Sequence, residues 1–126
     1  MRVLVTGGAG FIGTNLCRRL VAGDTATEVV VIDDYSTGAP RNLRGLDVEV
    51  VEGSILDGAL VSRLARGADA IVHLAALGSV PRSIADPVAS HAANATGTVS
   101  VLEAARHAQV GHVVVASSSS VYGANP

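Results

Sequence analysis

Two sets of residues in this chain of 126 have the types and spacing to do chemistry. The first is Gly7, Gly10 and Gly13, spaced three apart between an apolar stretch at residues 3–5 and an apolar helical pattern. Glycines placed so suit a bound pyrophosphate. The first permits a tight turn, the second lets backbone approach the phosphates, and the third lets helix and strand pack closely. The helix start adds unpaired N–H groups and the positive end of its dipole. Asp33 closes the next apolar stretch, 20 residues after Gly13. A carboxylate there accepts hydrogen bonds from an adenosine ribose and repels a 2′-phosphate, which favours NAD over NADP. Glycine turns and strand-end aspartates are each common without a ligand; it is their joint spacing that points to a dinucleotide. Arg41 and Arg44 could hold a 2′-phosphate and read better as solvated loop charges.

The second set is Ser117-Ser118-Ser119-Ser120-Val121-Tyr122-Gly123, four hydroxyls after the last apolar stretch. Ligands bind at the carboxyl ends of strands in open parallel sheets, although a serine-rich turn alone explains the composition. Ser54 and Ile55 follow the third stretch, where Ser54 can hydrogen-bond an adenine and Ile55 can pack on it. A plain β–α turn explains them equally well. Leu74, Ala75 and Ala76 end the fourth, small enough to admit a cofactor. His73 before them reads as a satisfied core histidine, and Cys17 as a small buried apolar residue. The four histidines (73, 91, 107 and 112) lack metal-ligand spacing, so no metal is expected.

These groups need a frame. Short, continuous, β-branched runs at residues 3–5, 29–32, 48–51, 70–74 and 113–115 predict parallel strands buried on both faces. Helical patterns lie between most of them. Phe11, Ile12, Leu16 and Leu20 share one face of the first. Leu60, Val61, Leu64 and Ala65 mark another, closed by Gly67. Val88, Ala92, Ala95, Val99 and Leu102 recur at helical spacing in a long helix over 88–108, starting after Asp86-Pro87. Residues 34–47 read as loop with one short helical turn. Alternating strands and helices predict a doubly wound α/β sheet with strand order 3-2-1-4-5 and a binding crevice beside strand one.

Composition bounds the rest. The length fits one domain spanning residues 1–126. A charge of −2 and 2% aromatics leave neither basic stripe nor stacking platform, so no nucleic-acid partner is expected. No apolar run is long enough for a membrane helix. Residues 1–5 run into the glycine turn without a cleavage site and read as strand rather than signal sequence. One cysteine allows no internal disulfide, which is compatible with the expected cytoplasmic location.

The segments TGGAGFIG (6–13), DDYSTG (33–38), HLAALGSVPRS (73–83), ANATGT (93–98) and SSSSVYG (117–123) together resemble the extended short-chain dehydrogenase/reductase family. Within it they are most similar to the NAD-dependent nucleotide-sugar 4-epimerases, and the likeness runs the length of the chain. The resemblance implies a Rossmann-type fold and roles for individual residues. Gly7, Gly10, Phe11, Ile12 and Gly13 would hold the pyrophosphate and Asp33 the ribose. Asp34, Ser36, Thr37 and Gly38 would line the neighbouring turn. Ser54, where the family more often has Asp, and Ile55 would meet the adenine. Leu74, Ala75 and Ala76 would flank the cofactor, with Asn94 positioning it. Ser118, four residues before Tyr122, matches the catalytic Ser/Thr. Gly78 and Ser79 match sugar-contacting positions. Ser119 and Ser120 stand where the related 4,6-dehydratases carry Asp-Glu, which argues against loss of water.

In the family a tyrosinate takes the proton of the sugar 4-hydroxyl while hydride passes from C4 to NAD. A lysine lowers the tyrosine pKa and the serine steadies the oxygen. The 4-keto sugar turns over and hydride returns to its other face. The expected activity is therefore epimerisation of a UDP-sugar at C4, by a homodimer. This chain departs from the pattern in one respect. It has no lysine, and Tyr122 is followed at position 126 by Pro, so the Tyr-x-x-x-Lys pair is not within it. The expectation is an N-terminal part of a longer enzyme, inactive by itself. Three alternatives stay open: a decarboxylase or reductase of the same family, a non-catalytic NAD-binding module, and a structural protein with an unused nucleotide fold.

Overall fold

The computed structural model describes residues 1–23 and 26–123. Pro126, which stands where a Tyr-x-x-x-Lys pair beginning at Tyr122 would have its lysine, lies outside the described residues. Five parallel strands, β1 (Arg2–Thr6), β2 (Glu28–Asp33), β3 (Glu49–Glu52), β4 (Ala70–His73) and β5 (His112–Val115), form one sheet in the order β3-β2-β1-β4-β5. The expected order is the observed one. Register pairs Val5 with Val31 on one side and with Val72 on the other, so β1 sits at the centre.

Successive side chains along the central strands enter different cores. Leu4, Val30, Ile32 and Ile71 pack with Val61 and Leu64 of α2 (Gly58–Ala65) and Val101 of α5 (Gly97–His107). Val3, Val5, Val29 and Val31 pack on the opposite face with Cys17 of α1 (Phe11–Val21). Period-two alternation makes both faces apolar, which is why β1 and β2 read as continuous runs. Burial on both faces does not extend to the edges. β3 and β5 are largely exposed, because each lacks a neighbour on one side.

Helix ends follow local chemistry. Asp57 caps α2, accepting from Leu60 N–H at 3.0 Å, and Gly67 follows its end at φ +76°, a conformation that favours glycine. The expected turn in the 34–47 loop is a 3₁₀ turn at Pro40–Leu43.

The long helix differs from its pattern. The expected 88–108 helix is instead α4 (Pro87–His91), a π-helical turn at Ala92–Thr96 and α5, and it is preceded by α3 (Val80–Ala85), which the sequence left unassigned. The π turn takes one extra residue and rotates the succeeding residues by about 100°. The apolar series that marks the helix faces outward: Val88, Val99 and Leu102 are 77%, 65% and 42% exposed. The buried positions are Ser90, Gly97, Val101, Ala104 and Ala105. Small residues let the helix lie close: a Cβ on Gly97 would come within 2.9 Å of Ile55 Cγ1. Likewise α1 packs through Gly13, Thr14 and Cys17, while Phe11 and Ile12 are 85% and 65% exposed at its start. Hydropathy marks these close-packed faces only in part, because glycine and threonine carry little of it, and Leu16 and Leu20 of α1 are only partly buried against the core. No helix among the described residues is long and apolar enough to cross a membrane.

Candidate functional site

The carboxyl ends of β1, β2, β3 and β4 border a cleft of about 250 Å³. Gly7 begins it. Its φ of +71° is left-handed, and a Cβ there would lie 2.7 Å from Ala75 N. Gly13 is fixed by packing, since a Cβ would fall on Gly7 O and within 2.6 Å of Gly8 Cα. Gly10 differs from both. Its backbone, φ −75° and ψ 174°, suits any residue, and the one atom near an added Cβ is Gly7 O at 3.4 Å. Neither backbone nor packing requires glycine there, whereas a ligand's oxygens approaching α1 would. No side chain caps α1 and no acid stands in its first turn. Open space beside an uncapped helix start is what a pyrophosphate needs.

Asp33 lies 9% exposed in the same cleft. Its Oδ2 accepts from Ala9 N–H at 2.9 Å and its Oδ1 from Tyr35 N–H at 2.8 Å. The carboxylate thus ties the glycine turn to the β2 loop, and each oxygen keeps a lone pair for a ribose hydroxyl. Asp34 turns the loop by accepting from Ser36 N–H at 2.9 Å. Gly38 lets that loop reach the glycine turn, where a Cβ would lie 2.8 Å from Ala9 C.

Of the sequence-predicted cofactor residues, the cleft unites Gly7, Gly10, Asp33, Asp34, Ser36, Thr37, Ser54, Ile55, Leu74, Ala75 and Ala76. Gly13 and Gly38 support its walls from behind, and Phe11 and Ile12 stand exposed at the helix start. Ile55 is 7% exposed and packs largely in the core, so it offers an edge of its side chain. Ser54 Oγ accepts from Leu56 N–H at 3.2 Å and keeps its proton to donate.

Residues 74–77 also line a second cleft of about 570 Å³, with Gly78, Ser79, Asn94, Ser118 and Ser120. Ser118 Oγ accepts from Ser120 N–H at 3.1 Å, capping a 3₁₀ turn at Ser119–Tyr122. Ser79 Oγ accepts from Arg82 N–H at 3.3 Å, capping α3. Ser119 is exposed outside this lining. Asn94 binds both backbone groups of Leu77, at 2.8 and 3.0 Å, and shapes the loop between the clefts.

Sequence reasoning passed over Thr6 and Thr98. Thr6 Oγ1 meets His73 Nδ1 at 2.6 Å, and His73 Nε2 meets Thr98 Oγ1 at 3.0 Å. His73 is 3% exposed and its pKa is lowered by burial, as a satisfied core histidine requires. Cys17, wholly buried, has its thiol pushed up to about 11 by desolvation and is unreactive. Among the described residues no cluster of His, Cys, Asp or Glu could hold a metal.

A glycine turn opening on an uncapped helix, an acid ending β2 and a crevice beside the central strand define a nucleotide-binding Rossmann-type domain. Residues 3–126 match the NAD dependent epimerase/dehydratase family, and the chain belongs to it. It is 46% identical over 132 residues to UDP-glucose 4-epimerase of Mycolicibacterium smegmatis, covering 100% of this chain and 42% of that protein. It is 40% identical over 135 residues to dTDP-glucose 4,6-dehydratase of Streptomyces niveus, covering 100% and 40%. Among solved structures, a double mutant of dTDP-glucose 4,6-dehydratase from Streptomyces venezuelae with NAD bound superimposes at a TM-score of 0.92. Its identity is 43%, with 99% of this chain and 42% of that one covered. The chain thus spans about two fifths of the length of these relatives.

Proposed function

We propose that this chain holds NAD in the 250 Å³ cleft and forms the cofactor half of an enzyme that epimerises a UDP-sugar at C4. The open space at Gly10 beside the uncapped start of α1 carries the cofactor reading. Gly7, Gly10, Phe11 and Ile12 receive the pyrophosphate, Gly13 supports that turn from behind, and Asp33 receives the adenosine ribose. Asp34, Ser36, Thr37 and Gly38 line the turn beside it. Ser54 and Ile55 border the adenine, and Leu74, Ala75 and Ala76 the far wall, which Asn94 holds in place. When bound, NAD supplies an acceptor for the C4 hydride.

The second cleft receives the sugar. Gly78, Ser79 and Ser120 border it, Ser119 stands exposed beside it, and the Ser118 hydroxyl donates a hydrogen bond to the oxygen at C4, orienting the sugar for hydride loss. Epimerisation is favoured over dehydration because Ser119 and Ser120 carry no carboxyl to help water leave. The chain holds no lysine, so deprotonation of the 4-hydroxyl falls to groups outside these residues. UDP-glucose, UDP-glucuronate and UDP-N-acetylglucosamine are the substrates to test. The outward apolar series Val88, Val99 and Leu102 supports a homodimer through this helical face.

Calorimetry tests the cofactor reading: NAD binds and NADP binds more weakly. Chromatography of each UDP-sugar after incubation with the full-length protein tests the reaction. Appearance of a 4-epimer supports it. Products that have lost water or carbon dioxide, or no product at all, refute epimerisation while leaving the calorimetric result standing.

A further inference from the structure

We propose that His73 is a positioning residue, fixed as the neutral Nε2–H tautomer so that the Thr6 hydroxyl can hold the N–H groups of residues 74 and 75. The inference rests on the reading that this strip is the cofactor wall. The proton directions are set by the bonds around the ring. Thr98 Oγ1 donates its one proton to the Asn94 carbonyl at 2.8 Å, as a carbonyl can only accept. Toward His73 it can then only accept, so Nε2 carries the proton. Nδ1 is therefore bare and accepts from the Thr6 hydroxyl at 2.6 Å. With its proton so directed, Thr6 Oγ1 has both lone pairs free for the N–H groups of Leu74 and Ala75, each at 3.2 Å.

The other tautomer conflicts with this count. An Nδ1–H would require the Thr6 oxygen to accept three bonds with two lone pairs and would leave its own proton without that partner. Leu74 N–H also reaches the Thr6 carbonyl at 3.1 Å, so Ala75 depends most on the hydroxyl. Ala75 is the residue that a Cβ on Gly7 would strike, so its position also sets the wall against the glycine turn. Asn94, whose carbonyl receives Thr98, holds both backbone groups of Leu77. One connected set of bonds thus fastens the strip at both ends.

Protonation of His73 would add a second ring donor and reverse the Thr6 bond. β1 brings Thr6 to the ring, β5 places Val115 beside it in register, and α5 with its π turn brings Thr98 and Asn94. None of these side chains titrates near neutrality, and burial holds the ring below its ordinary 6.5.

Nitrogen-15 NMR of the ring in the full chain at pH 7.5 should show an unprotonated Nδ1 and a protonated Nε2. An Nδ1–H tautomer or an imidazolium overturns the proposal, whether or not any variant folds. Calorimetry with NAD should give about a tenfold loss of affinity for Thr6→Val, the scale of one or two hydrogen bonds, with Thr6→Ser within about twofold of wild type. Wild-type affinity should also fall in acid, once pH drops through the folded ring's lowered pKa, and the profile should flatten in His73→Asn. Unchanged affinity in a folded Thr6→Val, or the same acid loss in His73→Asn, overturns it. If wild type binds no NAD at all, the cofactor reading fails while the tautomer still reads from the spectrum.

Discussion

Replacing Gly10 with alanine should separate ligand binding from folding, and Gly13→Ala should do the reverse. Gly13 lies inside α1, where alanine is favoured over glycine by about 1 kcal/mol. Its Cβ, however, would come within 2.6 Å of Gly8 Cα and strike Gly7 O, backbone that cannot turn aside. Overpacking costs about 1–3 kcal/mol, and contact with backbone belongs at the upper end, leaving a net loss of about 2 kcal/mol. With an unfolding entropy of roughly 2.1 cal/mol/K per residue, 126 residues lose about 8 °C in Tm. At Gly10 the backbone already suits alanine, and the nearest atom stands at 3.4 Å. The poorer cap costs about 0.5 kcal/mol, and the stiffer unfolded chain returns about the same, so Tm should hold within about 2 °C. The methyl group would occupy the approach to the first turn of α1. Losing one charge-assisted hydrogen bond of about 1.5–3 kcal/mol should weaken NAD binding at least about tenfold. Thermal melts and calorimetry on both variants decide the matter. A Gly10→Ala variant that binds NAD like wild type would refute the placement of the pyrophosphate. One that melts as early as Gly13→Ala would show that packing in the chain, rather than a ligand, demands the glycine.

The same geometry predicts other outcomes. Asp33→Ala should lower stability by about 3 kcal/mol as well as weaken NAD, because Ala9 and Tyr35 N–H lose a charged acceptor; denaturant melts without ligand measure the first effect. Stability should rise with pH up to about 6.5 through His73, whose folded pKa is lowered. The unfolded chain binds a proton there that the folded chain refuses, so the contribution is present above 6.5 and lost as pH falls toward the folded value. Urea melts at pH 5 and 7.5, compared between wild type and His73→Asn, should isolate this slope. Val99→Asp should shift sedimentation toward monomer without lowering Tm of the monomer, since Val99 is 65% exposed.

The open space at Gly10 makes Asp33→Ala the poorer test of cofactor binding. In sequence, Asp33 is an acid at the distance expected of a ribose ligand. In the fold it also ties two loops together, so its removal disturbs the cleft with or without a ligand. Sequence spacing identifies a site residue and is silent on which other bonds that residue makes.

The sequence alone determined the strand order, the place of the crevice and most residues that meet in it, because strand and turn signals are local and parallel crossovers allow few topologies. Gly7, Asp33 and residues 74–76 were legible for that reason. The tertiary structure decided what depends on phase and close packing. A π turn at Ala92–Thr96 interrupts the long helix, and beyond it Val99 and Leu102 face outward while Gly97, Ala104 and Ala105 face the sheet. It also decided the link from Thr6 through His73 and Thr98 to Asn94, whose first and last members lie on different elements. Periodicity reports which residues are apolar along one element; it carries no record of a neighbour's shape or of a hydrogen bond made across the fold.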